Sequence, residues 1–178
     1  MDDAEEALAL DVRQKIYTTV QKSPALHFRE IQRRTSLGVG ALQYHLEYLQ
    51  KAQLIRSEKD GKFVRYFAVR GKQVGEQSRE LSLLRQESIR RIVIYLLTHK
   101  RANNVAISKA VNLSPPTTSW HLGKLISAGI VEKRRRGRKS FFYLTDKEKT
   151  AELIVGHKKS FVDEVVDNFV EVWKEIEV

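Results

Sequence analysis

The chain aligns with itself at an offset of 76 residues without a gap. Ile16 falls on Ile92, Ile31 on Ile107, Leu37 on Leu113, Leu49 on Leu125, Ala52 on Ala128 and Gly61 on Gly137. His45-Leu46 falls on His121-Leu122, Tyr44 on Trp120, and Tyr66-Phe67 on Phe142-Tyr143. Two copies are too few for a solenoid, which needs about three units to bury a continuous core. The duplication therefore predicts two homologous domains in tandem, and it suits the 178-residue length.

Each copy reads as three helices and a β-hairpin. In the second, Ile89, Ile92, Val93 and Leu96 recur at i, i+3, i+4 and i+7, one face of a helix. Asn103 or Asn104 can cap a short helix that turns Ile107, Ala110 and Val111 inward, and Asn112-Leu113 makes a turn. Ser114-Pro115 opens a third helix as N-cap and first-position proline, and Gly129 ends it. Residues 130–135 and 139–144 then flank a turn at Arg136-Gly137. The first copy repeats the pattern. Val12, Ile16 and Val20 mark its first helix, Phe28 and Ile31 its second, and Leu42, Leu46 and Leu49 its third. Residues 55–59 and 63–69 flank Asp60-Gly61, a strong hairpin dipeptide.

Residues 113–131, LSPPTTSWHLGKLISAGIV, resemble the recognition-helix segment of the ArsR/MarR-like winged-helix regulators, and residues 37–46, LGVGALQYHL, resemble the same segment. Two copies in one cysteine-free chain rich in Lys, Arg and Glu resemble the tandem winged helix-turn-helix transcription regulators of archaea. The resemblance covers residues 10–146. It implies a mainly α fold with small β-hairpins in two tandem winged helix-turn-helix domains, to which the apolar spacing beyond residue 146 adds a C-terminal helix. The expected boundaries are domain one at 1–72, a helical linker at 73–86, domain two at 87–146 and a helical tail at 147–178.

Charge points to the partner. Residues 1–11 hold five acids and no base, and residues 161–178 hold six acids and one base. Against a net charge of +10 for the whole chain, residues 12–160 therefore carry +20. Proteins stabilised for heat by ion pairs mix their signs. Here the signs are segregated, which favours a polyanion such as double-stranded DNA as partner.

The third helices would present that charge to DNA. Thr118, Leu122 and Leu125 fall on a core face, leaving Pro116, Thr117, Ser119, Trp120 and Lys124 outward. In copy one Leu42, Leu46 and Leu49 fall inward, leaving Gly40, Ala41, Gln43 and Tyr44 outward. Such a helix fits the major groove. Gln43 suits bidentate bonding to adenine; Thr117 and Ser119 suit bases or phosphates, or an ordinary solvated face. Tyr44 and Trp120 either contact sugar–phosphate and thymine methyls or fold back on their own hairpins.

The second hairpin is the sharpest signal. Lys133, Arg134, Arg135, Arg136, Arg138 and Lys139 put six cations in seven positions around Gly137. Like charges so close repel unless an anion lies nearby. As a wing the hairpin would follow phosphates or enter an A·T-rich minor groove. The first hairpin offers Lys59, Lys62 and Arg65 but includes Asp60. Arg29, Arg33 and Arg34 either add phosphate contacts or are plain surface charge. With about five phosphates neutralised per domain, log affinity falls with log salt at a slope of about −9.

The linker is expected to turn helical near Glu76 and to run into the second domain. In the tail, Val162, Val166, Phe169, Trp173 and Ile176 are spaced 4, 3, 4, 3, a heptad seam of two repeats. That helix either packs on the first domain or linker, or forms a homodimer interface or a docking surface for a basal transcription factor. The acidic N-terminus reads as a frayed helix start.

Other classes are disfavoured. The chain has no cysteine, which excludes a disulfide scaffold, thiol catalysis, a zinc ribbon and a cysteine-based sensor. The five histidines are scattered, and His45 and His121 read as structural or phosphate-contacting rather than metal ligands. No metal or other cofactor is expected. Neither a Gly-rich phosphate loop nor a nucleophile elbow nor a zincin motif is present, so the chain is not expected to be an enzyme. Apolar runs reach about six residues against the roughly 20 a membrane helix needs, and the acidic start is unlike a signal peptide. A cytoplasmic protein with no membrane partner is expected. Two alternatives stay open: a non-specific architectural DNA- or RNA-binding protein, and a winged-helix protein-interaction module of the transcription machinery.

Overall fold

A computed structural model describes residues 6–69, 77–161 and 164–176. The chain divides into two compact units, Met1–Ser82 and Leu83–Val178. The acidic start at 1–5 and linker residues 73–76, Glu76 among them, lie outside the described residues.

In the first unit α1 (Asp11–Lys22) buries Ile16, Tyr17 and Val20 on one face. β1 (Leu26–His27) leads into α2 (Phe28–Thr35), where His27 Nδ1 accepts the Glu30 amide as N-cap (3.2 Å). Ser36 is left-handed and turns the chain into α3 (Val39–Lys51), which buries Leu42, Leu46 and Leu49. β2 (Ile55–Asp60) and β3 (Phe63–Ala68) complete the unit. Leu26, Ile31, Leu42, Leu49, Leu54 and Ile55 join Ile16 in one core, each at most 2% exposed. Each such side chain contributes about 1.5–3 kcal/mol.

β1 was not expected from the sequence, because two residues leave no readable period. It pairs antiparallel with β3, giving sheet order β1-β3-β2. The hairpin register places Asp60 opposite Phe63, so the loop is Gly61-Lys62 rather than Asp60-Gly61. Gly61 takes φ +60 while Lys62 is not among the positive-φ residues. This is the type II′ pattern, with glycine at the first loop position.

α4 (Ser78–Leu84) runs across the division at Ser82 and ends before α5 (Glu87–Thr98), the first full helix of the second unit, with Gln86 extended between them. The expected continuous helix is thus broken at Arg85-Gln86. Arg90 stabilises the break: its Nη1 donates to the carbonyls of Leu84 (2.8 Å) and Arg85 (2.9 Å) at the end of α4. The four expected core residues of α5 are all buried. α6 (Asn104–Val111) is capped by Asn103, whose Oδ1 accepts the Ala106 amide, and Asn112 turns left-handed after it. α7 (Pro115–Ser127), β4 (Val131–Arg136) and β5 (Lys139–Leu144) follow. The counterpart of β1 is reduced to one bridge, Ala102 with Phe142. The second hairpin repeats the first, with loop Gly137-Arg138 and Gly137 at φ +60.

α8 (Lys147–Gly156), α9 (Lys158–Phe161) and α10 (Glu164–Ile176) end the chain. α10 packs on α5, α8 and α9 of its own unit and buries Val166, Phe169 and Val170. Phe161 lies under the guanidiniums of Arg85 (5.0 Å) and Arg90 (5.1 Å). Of the expected heptad, Val166 and Phe169 are covered within the unit and Trp173 is half-buried. Val162 and the side chain of Ile176 lie outside the described residues. No described helix is long and apolar enough to cross a membrane.

Candidate nucleic-acid interface

α7 owes its position to its cap and its inner face. Ser114 Oγ accepts the Thr117 amide (3.3 Å), and Pro115 stands at the first turn, where its missing N–H costs nothing. Thr118, His121, Leu122 and Leu125 are buried against the unit. Helical periodicity then leaves Pro116, Ser119 and Trp120 exposed. The corresponding residues of α3, Gly40, Gln43 and Tyr44, are exposed as well.

Local bonds orient this outer surface. Asn104 Nδ2 donates to Ser119 Oγ (2.8 Å) and to the Pro115 carbonyl (3.3 Å), joining α6 to α7. Thr117, half-buried, shares a hydroxyl bond with Ser114 (2.7 Å). On α3, Gln43 Nε2 donates to Glu47 Oε1 one turn on (3.2 Å). Glu47 was missed by the sequence reading, although its i, i+4 spacing from Gln43 was the signal.

Tyr44 and Trp120 stand out from the surface at 60% and 59% exposure. Each is edge-on to the histidine that follows it, Tyr44 to His45 at 5.2 Å and Trp120 to His121 at 4.9 Å. The two copies thus repeat an exposed ring beside an imidazole whose Nδ1 is buried. Nδ1 of both histidines is buried without a hydrogen-bond partner. Burial holds both imidazoles below their ordinary pKa, aided by Arg13 at His45 and Lys124 at His121. Among the described residues no cluster of His or acidic residues could hold a metal ion. Lys124, expected outward, is half-buried. Its Nζ lies 3.8 Å from the Trp120 ring centre and 3.5 Å from Gln86 Oε1.

The hairpins differ sharply. Arg134, Arg135, Arg136, Arg138, Lys139 and Lys133 are all exposed. Arg134 pairs with Glu132 (2.6 Å), and Arg135 Nε donates to the Gly137 carbonyl (3.1 Å). Lys133, Arg136, Arg138 and Lys139 have no acidic partner among the described residues. On the first hairpin Lys59 and Lys62 are exposed, but Arg65 is not. Its side chain is 4% exposed, and Nε reaches Asp60 Oδ2 at 3.1 Å. Strand alternation turns Arg65 to the inner face of β3, so it cannot be a surface phosphate contact. Arg34 is likewise engaged, donating to Glu30 (3.0 Å) and Ser23 Oγ (2.8 Å). Arg33 pairs with Glu30 at the surface (2.8 Å), and Arg29 is exposed.

Two family models match the chain. One, described as an N-terminal HTH domain, covers residues 10–79; the other, a winged helix-turn-helix DNA-binding model, covers residues 85–132. The chain belongs to the winged helix-turn-helix proteins and carries two such domains in tandem. It is similar to an uncharacterized HTH-type transcriptional regulator of Methanocaldococcus jannaschii, 31% identical over 144 residues, or 81% of this chain. The chain spans 36% of that relative's length. Reduced HlyU from Vibrio cholerae shares 24% identity at a TM-score of 0.42, over 47% of this chain and 86% of its own. A likeness of that degree bears on neither ligand nor mechanism.

Proposed function

We propose that this chain is a sequence-specific, double-stranded-DNA-binding transcription regulator. In this reading α3 and α7 enter major grooves, and the β4–β5 hairpin lies along phosphates or in a minor groove. The observation that carries it is the pairing of an open helix surface with a cationic hairpin in one unit. Four cations of the β4–β5 hairpin, without an acidic partner among the described residues, sit in a fold whose third helix exposes Pro116, Ser119 and Trp120. A dense positive field of this kind is stabilised by a polyanion, and phosphate contacts position a helix without themselves specifying sequence.

The specifying groups are Gln43, Ser119 and Thr117. Gln43 keeps one amide proton and its carbonyl oxygen beyond its bond to Glu47, the pair that bidentate bonding to adenine uses. Lys59 and Lys62 contribute phosphate contacts from the first hairpin. Tyr44 and Trp120 supply apolar contact with sugars or thymine methyls. The similarity to an HTH-type transcriptional regulator supports the regulatory reading.

Selection of bound fragments from random duplex DNA at a stated salt concentration tests it. A discrete recovered motif, bound at least about 10³-fold more tightly than competitor DNA, is the expected result. Recovery of no preferred motif overturns sequence specificity, and preference for RNA overturns the choice of duplex DNA.

A further inference from the structure

The first unit holds a half-open cleft of about 360 Å³ between α2, α3 and the sheet. The volume lies within the range of small-ligand sites, about 300–1,000 Å³. Phe28, Val39 and Leu46 line it with apolar surface, and Glu47, Ser57 and Tyr66 line it with polar groups. No Lys or Arg lines it, in a chain with 32 of them.

Glu47 is the unusual member. Of the carboxylates on α2, α3 and the first hairpin, Glu30 pairs with Arg33 and Arg34, Glu58 with Arg56, and Asp60 with Arg65. Glu47 alone in that group has no cationic partner among the described residues. Among the described residues its hydrogen bond comes from the neutral Gln43 amide, to Oε1. It is near enough to Tyr66 to join burial in holding that phenol above its ordinary pKa.

The duplication supplies an internal control. At the offset of 76, Glu47 becomes Gly123, Ser57 becomes Lys133 and Tyr66 becomes Phe142. Phe28 becomes Asn104, whose amide ties α6 to α7. The second copy has lost the carboxylate and both hydroxyls and gained a cation. Two copies of one fold have diverged at the same place, one toward anions and one away from them.

We infer that the cleft lined by Phe28, Val39, Glu47, Ser57 and Tyr66 is a binding site for a small organic amine, with an apolar body and a cationic or hydrogen-bond-donating head. The apolar wall takes the body, and the Glu47 carboxylate takes the head with Ser57 and Tyr66 hydroxyls beside it. Anionic ligands are disfavoured because the Glu47 carboxylate is the only formal charge on the wall. The site stands independently of DNA. Its coupling to DNA rests on the proposed function, since Gln43 also lines the cleft and is bonded to Glu47. A head group that takes Glu47 would loosen the Gln43 side chain.

Amide-shift titration of the full chain with benzylamine, benzyl alcohol and benzoate tests the site, the three probes sharing a ring and differing in charge. Saturable shifts at Glu47, Gln50, Ser57 and Tyr66 are expected with benzylamine, at least tenfold tighter than with benzyl alcohol and absent with benzoate. Glu47→Gln should weaken benzylamine at least tenfold while leaving the rest of the spectrum in place, because the residue is exposed. Benzylamine that fails to saturate these shifts, benzoate that binds as well, or a Glu47→Gln variant of unchanged affinity each overturns the assignment. A second titration in the presence of selected DNA separates the two claims. Saturable benzylamine binding with unchanged DNA affinity keeps the site and removes Gln43 from the DNA contact.

Discussion

Arg65 and Asp60 close on each other at 3.1 Å within the first hairpin, with the arginine side chain 4% exposed and the aspartate 33%. Arg65 Nη1 also donates to the Ala25 carbonyl (3.4 Å), and its guanidinium lies 5.3 Å from the Phe63 ring. The equivalent residues of the second copy are Phe141 and Arg136. At these positions the first hairpin pairs its cation with an acid, while the second exposes Arg136. Replacing Arg65 with Gln leaves Asp60 partly buried and without its ion pair, and should cost about 1–3 kcal/mol of stability. The urea midpoint should fall accordingly. A change below about 0.5 kcal/mol would show that the pair is idle.

The second hairpin's charge should govern affinity rather than preference. Arg135→Glu with Arg138→Glu should weaken binding to every DNA sequence at least tenfold at moderate salt. The slope of log affinity against log salt should become shallower by about 2, from two lost phosphate contacts at roughly 0.9 each. Gel-shift titrations at three salt concentrations read both quantities. Unchanged affinity removes this hairpin from the interface.

The outer residues of α3 and α7 should act the other way. Gln43→Ala and Ser119→Ala should change the ranking of selected sequences, each by about 1–3 kcal/mol at the position read, while the salt slope holds. Repeating the random-DNA selection with each variant checks this. If only the slope moves, the base-reading assignment is wrong.

Stability should depend on pH through four imidazoles, His121 buried and the others partly buried. His27, His45, His121 and His157 are all held below the ordinary value of 6.5, in each case first by burial and next by a neighbouring cation. A depressed histidine binds protons more readily when unfolded, so stability is full above about 6.5 and declines as pH falls toward the folded values. Glu30 acts in a lower window. Burial raises its pKa, but the Arg34 and Arg33 bonds and charges outweigh that and hold it below 4.5, so its contribution is lost only as pH falls through that region. Melting temperature should therefore drop between pH 7 and pH 5. His121→Gln should make that part of the curve shallower, the other three histidines still contributing, and leave the drop below pH 4.5. An unchanged slope in the upper window would show that His121 titrates alike in both states.

Much of the architecture was legible. The Ser114-Pro115 cap and the inward Thr118, Leu122 and Leu125 stand where the sequence places them, and both hairpins form with their turns one residue further on than the expected dipeptides. These are local matters of period, capping and turn chemistry. β1 was illegible because it is held by β3, some forty residues on. The broken helix at Arg85-Gln86 was illegible because the carbonyls it releases are taken by Arg90, and no periodicity reports that. The tail was half-legible: its apolar face was evident, but the surface it covers was not.

The sequence by itself determined the duplication, the order of elements and the density of charge on the second hairpin, because each is a property of neighbours along the chain. Only the tertiary structure decided that Arg65 is sunken against Asp60, that α10 packs on α5, and that Glu47 lines a cleft with Tyr66. Periodicity says which residues share a face of one element. Which side chain of another element meets that face is set by packing across the fold.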